Sequence, residues 1–394
     1  MNEVQIGASA PTAVQARQSI LDHLVSGLPL GVTSSISIQG ESVLAVGLDN
    51  GNDAAKVSLL TPAGLPVSVR IPTAHQVAKS FQGGQGEVTY SRNGEGGYWI
   101  GEAALRNEGR ALRVGSTAAR LVDGRHTSFL AGCLVEALRA AGYPPGAYVL
   151  AVGFAIPNVE VVKEHADSDR MVVAEETKVA LRKLRNVEWN VTRTDERGHV
   201  SQWSLTIRHL IPQAQSLGTF VCWSRSPLGT VVSDFQALSV IDIGGGDLQE
   251  TAINLKPYRM STNRRGDGTI DIARGLARLL PKAQLNDVTA QAALVRGQVL
   301  ISGRMQRIEE EIASVVSTYG SDLVGKLLEV FQDTRRYLVI TGGGVILLGD
   351  TVRELLEAAG KDAGTDYEIV PSAWASTLNS LGALFAVIFQ SAKK

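Results

Sequence analysis

The stretch that most restricts how this chain can fold covers residues 42–60, Ser-Val-Leu-Ala-Val-Gly-Leu-Asp49-Asn50-Gly51-Asn52-Asp53-Ala-Ala-Lys56-Val-Ser-Leu-Leu. An apolar run ends in an aspartate, turns through Asn-Gly and resumes beyond a lysine, the pattern of strand, tight turn and strand. Gly51 can take positive φ and lets the backbone approach a ligand closely, so successive N–H groups of the turn can converge on phosphate oxygens. Lys56 supplies positive charge, and Asp49, a hard oxygen ligand, suits a hydrated Mg2+ carried by those phosphates. Asp-Asn-Gly is also an ordinary hairpin turn, so the phosphate reading depends on partners elsewhere.

Two partners follow. Ser239-Val-Ile-Asp242-Ile-Gly244-Gly245-Gly246-Asp247-Leu-Gln-Glu250 repeats the order of apolar strand, aspartate, glycine turn and second strand. Tyr337-Leu-Val-Ile-Thr341-Gly342-Gly343-Gly344 is a strand that runs into a triple-glycine turn. After it, a helix is expected over 351–359, with Asp350 as N-cap and Gly360 as the residue that ends it.

In order and spacing these elements resemble the two phosphate motifs and the adenosine motif of the actin-like ATPase superfamily, which includes actin, Hsp70-type chaperones, sugar kinases and bacterial filament proteins. Asp49-Asn50-Gly51 followed by Lys56 is similar to actin's first phosphate loop. Tyr98-Trp-Ile-Gly101-Glu102, Ala151-Val-Gly-Phe-Ala-Ile-Pro157, His209-Leu-Ile-Pro212-Gln213 and Ser376-Thr-Leu-Asn379 resemble the plasmid-segregation branch of the ParM/StbA type.

The resemblance implies an α/β, ribonuclease H-like fold of two domains with a nucleotide cleft between them. Residues 1–41 would be an N-terminal extension, 42–235 domain I with a small outer subdomain near 61–100, 236–370 domain II, and 371–394 a helix returning to domain I. Asp49 and Asp242 would hold Mg2+. The backbone at Asn50, Gly51, Asn52, Gly244, Gly245 and Gly246 would cradle phosphates beside Lys56, with Gly342, Gly343, Gly344 and Arg274 near the nucleoside. Gln213 would orient the attacking water. The ligand would be ATP, with GTP left open. The implied activity is an ATPase that assembles with itself into filaments and moves plasmid or other DNA through an adaptor protein.

Two residues depart from the family pattern. Asp53 stands where the first loop commonly has a small or hydroxylated residue, and Asp247 where bacterial relatives have threonine. A carboxylate facing phosphate is repelled unless a cation lies between. Two other functions stay open on the same fold, a small-molecule kinase of the sugar or acetate type and a cytoskeletal scaffold that does not cycle.

Composition narrows the classes further. At 394 residues the chain exceeds what one core usually supports. A formal net charge of −1 gives no electrostatic footprint for direct nucleic-acid binding. Cys133 and Cys222 lack metal-ligand spacing and read as buried thiols. No signal peptide or transmembrane span is evident, and apolar residues 381–389 read as packed core rather than a membrane foot, so a cytoplasmic location is expected. The six histidines lie in unrelated contexts and suggest no metal site.

Periodicity predicts an amphipathic helix over 14–28 and a helix from Thr127 or Ser128 to near Gly142, followed by a buried strand over 148–154. A charged helical stretch is expected over 159–185, and strands over 187–194 and 200–211 joined through Asp195–Gly198. Further helices are expected over 271–280, 300–317, 321–331 and 373–389.

Overall fold

The structure, a computed structural model, describes residues 35–78, 87–107, 110–112, 115–165, 171–225, 237–255, 258–266, 268–332 and 336–391. The helix expected over 14–28 lies outside them. Ser35–Ile38 (β1) turns through Gln39 and Gly40, both at positive φ, and pairs with the start of Glu41–Asn50 (β2). β2 pairs antiparallel with Ala54–Leu60 (β3), placing Asp49 opposite Lys56. The first candidate loop is therefore a hairpin closed by residues 51–53.

The chain continues through Pro66–Pro72 (β4), Ala74–Val77 (β5), Thr89–Arg92 (β6), Tyr98–Ile100 (β7), Arg110–Ala111 (β8) and Ala147–Ile156 (β9). A small hairpin, Val161–Lys163 (β10) with Met171–Val173 (β11), precedes Glu188–Thr194 (β12) and Val200–Ala214 (β13). The large sheet has the order β4-β3-β2-β9-β13-β12-β6-β7-β5-β8, with β1 also on β2. β2, β9 and β13 are mutually parallel at its centre, and β2 is buried on both faces, as continuous apolar runs require. The strands of 61–100 continue this sheet, because β6 pairs with β12.

A second sheet starts at Ala237–Ile243 (β14) and Leu248–Leu255 (β15), the second candidate hairpin, and continues with Tyr258–Gly266 (β16). After the separate hairpin Gln298–Ile301 (β17) and Arg304–Arg307 (β18) come Arg336–Thr341 (β19) and Tyr367–Ile369 (β20). Its order is β16-β15-β14-β19-β20.

Helix Gly124–Ala140 covers one face of the large sheet with Phe129, Leu130, Leu134 and Leu138. Helix Leu378–Ser391 packs on the other, at β2 and β9. There Gly47 and Gly153 let the helix backbone lie directly on the strands, since a Cβ on either would run into the carbonyl oxygen of Ser380 or Ala383. Helix Gln215–Trp223 crosses the C-terminal helix at Gly218 and Gly382: a Cβ on Gly382 would run into the Gly218 backbone, and one on Gly218 into the Asn379 backbone. Leu384, Phe385 and Ile388 share one apolar cluster with Leu238, Val240 and Tyr337 of the second sheet. Full burial of each such side chain stabilises by about 1.5–3 kcal/mol, so these two helices hold the sheets together.

Several elements differ from the sequence expectation for identifiable reasons. The helix expected from 351 starts at Val345 with Gly344 as N-cap, because Val345, Leu348, Val352 and Leu356 form one buried face; Asp350 is interior. Gly360, at φ +74°, ends it as expected. Residues 300–307 form the β17–β18 hairpin, turned by Ser302 and Gly303 at positive φ, rather than the start of a helix. Beyond it one helix, Glu309–Gln332, runs through Gly320, which gives room to the Thr351 methyl of the neighbouring helix. In 159–185 the β-branched pairs Val161-Val162 and Val172-Val173 make strands, and among the described residues of that stretch Glu175–Arg182 alone is α-helix. The helix expected from Thr127 starts at Gly124, capped by the Asp123 carboxylate, which accepts from the Arg125 amide at 2.9 Å.

The β12–β13 turn through Gly198 forms as expected. The last helical region is split into Ser372–Ala375 and Leu378–Ser391. Cys133 and Cys222 are buried, which pushes both thiols up. Among the described residues no helix is long and apolar enough to cross a membrane.

Candidate nucleotide cleft

The first turn is held by side chains that come from outside it. Asn50 Nδ2 lies 2.8 Å from His126 Nε2, and burial lowers the His126 pKa to about 4, so a neutral ring receives the amide. Thr73 Oγ1 donates to the Gly51 carbonyl at 2.9 Å. Arg120 donates to the Asn50 carbonyl and to the Asn52 side chain, and Arg70 pairs with Asp53. Gly51 does not take the positive φ expected of it. Its lack of a side chain serves space instead, since a Cβ would stand 2.7 Å from the Ala54 carbonyl oxygen and 2.8 Å from Lys56 Nζ.

At the end of β2, Asp49 is 1 % exposed, with Lys56 Nζ at 3.3 Å and Gln215 Nε2 donating at 2.7 Å. Asp242 ends β14 in the same way but has different company. One carboxylate oxygen accepts from Asn379 Nδ2 at 2.7 Å, and burial, reinforced by the charges of Asp49 and Asp247, pushes its pKa up to about 6. Gly342, at φ +98°, brings the triple-glycine turn against it; a Cβ there would collide with Asp242 Oδ1.

The second turn is held by backbone. Gly244 N donates to the Asp247 carbonyl at 2.9 Å, Thr269 N to Gly244 O at 3.0 Å and Ile270 N to Gly245 O at 2.8 Å. Asp247 accepts from Gln249 Nε2 at 2.8 Å, and burial raises its pKa. Gln249 also donates to Gln215 Oε1 at 3.0 Å, giving a continuous buried chain Asp49, Gln215, Gln249, Asp247 between the two hairpins. At their tips the turns touch, with the Asn52 amide occupying the place of a Cβ on Gly246.

Together these parts line a narrow, open-mouthed cleft with about 50 Å³ of free interior space. Asp49, Asn50, Gly51, Asn52, Lys56, Asp242, Gly244, Gly245, Gly246, Gly342 and Gly343 all line it, as do Asp53 and Asp247. Gly344 stands behind the lining, against Ile243 and Thr269. Arg274 is not in the cleft: it is exposed and pairs with Asp271 at 3.5 Å and Asp287 at 3.3 Å. Gln213 is not there either. The strand expected to end at 211 runs on as β13 through Ala214, opposite Ile156, and Gln215, the first residue of the next helix, reaches the lining, as does Gln249.

Arg120, His126, Gln249 and Asn379 also escaped the sequence reading. Gln249 had a local signal, since it shares a strand face with Asp247 two residues before it. Asn379 stands in a stretch that resembles the family but carries no assigned site role, and Arg120 and His126 had no signal, because they reach the loops from remote elements.

The donor set fits a divalent cation bound together with phosphates. Asp49 and Asp242 offer carboxylates to one space, and removal of water from Asp242 leaves a charge that a cation would offset. Among the described residues no cluster of three or more His, Cys, Asp or Glu could cage a metal by itself. Mg2+ characteristically binds through one or two carboxylates, waters and substrate phosphates, and needs no such cage.

No family model matches the chain, and no curated protein matches it in sequence. Solved structures match its fold. Ta0583, an archaeal actin homolog, superposes with a TM-score of 0.64 at 20% identity, over 86% of this chain and 98% of that one. ParM of Bacillus thuringiensis, solved with ATP, gives 0.63 at 14% identity over 89% of this chain and 100% of that one. The apo pSK41 ParM gives 0.59 at 14% identity over 89% and 98%.

Proposed function

The chain has the actin-like fold, and from that premise we propose that it is a Mg2+-dependent ATPase that assembles into nucleotide-dependent filaments. The observation that carries this reading is the convergence of two strand-end aspartates, a lysine and glycine turns from two separate sheets on one cleft. The similar archaeal structure has been solved with ADP, and that of B. thuringiensis ParM with ATP, AMPPNP and ADP. We read the two sheets as two domains, 42–235 and 236–370, with 371–394 returning to the first.

Asp49 and Asp242 are the residues that would hold Mg2+, whose charge neutralises the phosphate oxygens as the bond to the leaving group breaks. Lys56 and the backbone N–H groups of the two turns bind the phosphate chain. Arg70 takes up the charge of Asp53, and Gln249 engages Asp247, so neither carboxylate faces phosphate without a partner. Gln215 is the water-positioning residue in place of Gln213. Its amide is oriented by Asp49 on one side and Gln249 on the other, leaving one carbonyl lone pair to accept from a water in line with the terminal phosphate. An amide is a weak base, so turnover in the isolated protein is slow, and contacts that shift Gln215 in a polymer would set its rate. Segregation of DNA through an adaptor protein is the function that the ParM-type resemblance favours.

The test is sedimentation and electron microscopy of the full chain with Mg2+-ATP, Mg2+-GTP, a non-hydrolysable analogue or no nucleotide, with phosphate release followed over a range of protein concentrations. Filaments that need nucleotide, and release per molecule that rises above a critical concentration, are expected. ATP consumption that appears only with a small-molecule acceptor, with the phosphoryl group on the acceptor and not released as phosphate, would turn the assignment to a kinase.

A further inference from the structure

Arg120 is a buried arginine that makes no direct ion pair among the described residues; the carboxylates of Glu160, Asp247 and Asp49 act on its charge from farther off, and burial outweighs them. It stands in the short helix Thr117–Val122, is 6 % exposed, and its guanidinium reaches the lining of the cleft. Its hydrogen-bond partners are all neutral: Nε donates to the Gly115 carbonyl at 2.9 Å, Nη1 to the Asn50 carbonyl at 2.5 Å, and Nη2 to the Asn52 side chain. Among the described residues it forms no ion pair. A guanidinium has five N–H groups, so two remain for a ligand.

Burying an arginine without a directly bonded anion costs several kcal/mol, and two other arginines among the described residues avoid that cost. Arg193 is paired with Glu136 and Arg265 with Glu250. The helix that carries Arg120 is also fixed in place: Glu160 accepts from the Thr117 amide at 2.6 Å and from Thr177 Oγ1 at 2.8 Å. The guanidinium is thus held at the cleft wall with no carboxylate bonded to it and two N–H donors unspent.

Its position indicates which anion it serves. The triple-glycine turn abuts Asp242 at one side of the cleft, whereas Arg120 sits at the tip of the first turn, against Asn52. A nucleotide with its nucleoside at Gly342 and its phosphates running past Asp242 ends beside Arg120. Resting on the nucleotide reading above, we propose that Arg120 contacts the terminal phosphate and lets this site discriminate nucleoside triphosphate from diphosphate. Loss of that phosphate leaves the guanidinium with its protein partners Gly115, Asn50 and Asn52 only. Because the Asn52 amide also lies against Gly246, both turns then register which nucleotide is bound.

The experiment is equilibrium binding of a non-hydrolysable ATP analogue and of ADP, each with Mg2+, to the full chain and to Arg120→Gln and Arg120→Lys. The unaltered chain is expected to prefer the analogue. Arg120→Gln should weaken the analogue about tenfold or more while changing ADP by no more than about twofold; Arg120→Lys, which keeps the charge but loses the fork, should fall between. Equal weakening of both nucleotides, or of neither, would overturn the proposal and leave Arg120 as a brace for the first turn. Failure of the unaltered chain to bind either nucleotide would instead overturn the nucleotide reading itself, and this proposal with it. If Arg120→Gln does not fold, the comparison of Arg120→Lys with the unaltered chain decides by the same ratio.

Discussion

The two phosphate-loop candidates share a sequence pattern and are built in opposite ways. The turn after β2 is pinned by side chains from elsewhere, His126, Thr73, Arg120 and Arg70, and its aspartate has a lysine 3.3 Å away. The turn after β14 is pinned by its own backbone and that of residues 269–270, and its aspartate accepts from one neutral amide. One loop thus carries a counter-charge against its aspartate within the fold, and the other offers its aspartate only a neutral donor. Two halves that look alike in sequence would divide the work, a preformed cradle on one side and a ligand-dependent carboxylate on the other.

Breaking the ligand-dependent side should have the largest effect. Asp242→Asn is expected to lower phosphate release about 100-fold or more while stabilising the nucleotide-free protein. The sign follows from a folded pKa raised from 3.8 to about 6. The contribution of this group to stability is complete below its unfolded pKa and is lost as pH rises through 6, so the variant should gain up to about 3 kcal/mol at pH 8 and little at pH 4. Urea unfolding at both pH values measures it. A variant no more stable than the unaltered protein at pH 8 would erase the contrast between the loops.

The preformed side should respond in the opposite sense. Lys56→Met leaves Asp49 buried without its cation and should destabilise the nucleotide-free protein by about 3 kcal/mol in urea unfolding, most of which Asp49→Asn in the same chain should restore. Between the loops, Gln215→Ala should slow phosphate release about tenfold to a hundredfold, whereas Gln213→Ala should change it by no more than about twofold. Equal effects of the two would place the water elsewhere.

The smallest effect separates the loops by pH. The His126 pKa falls from 6.5 to about 4 on folding, so its contribution is present above 6.5 and is lost as pH falls towards 4, the reverse of Asp242. His126→Gln should remove about 2 kcal/mol of the stability lost between pH 7 and pH 5, as read by the same unfolding curves. An unchanged pH slope would mean that the ring is not held neutral by its place against Asn50.

The sequence made the loops legible because strand alternation, glycine and an acidic residue at the strand end are all local. Asp49, Lys56, Asp242 and Gly342–Gly343 needed no knowledge of contacts to be placed. Gln215 lies two residues beyond the glutamine the sequence points to, because the strand expected to end at 211 runs on to Ala214, paired with Ile156. Arg274 was assigned by its place in the family pattern and proves to pair with acidic neighbours on the surface. Arg120 and His126 could not be found, because they meet Asn50 across 70 and 76 residues of chain. Helix limits failed where apolar burial overrode local signals, as at Val345, which starts a helix six residues before the reading at Asp350 allowed.

The measurement that bears most directly on the central claim is a crystal structure of the full chain with Mg2+ and a non-hydrolysable ATP analogue. The account predicts the phosphates between the Asn52 turn and the Gly245–Gly246 turn, the cation held from Asp49 and Asp242, and the two turns parted at their tips to admit them. A nucleotide bound elsewhere, or one in the cleft with no cation near either aspartate, would contradict it.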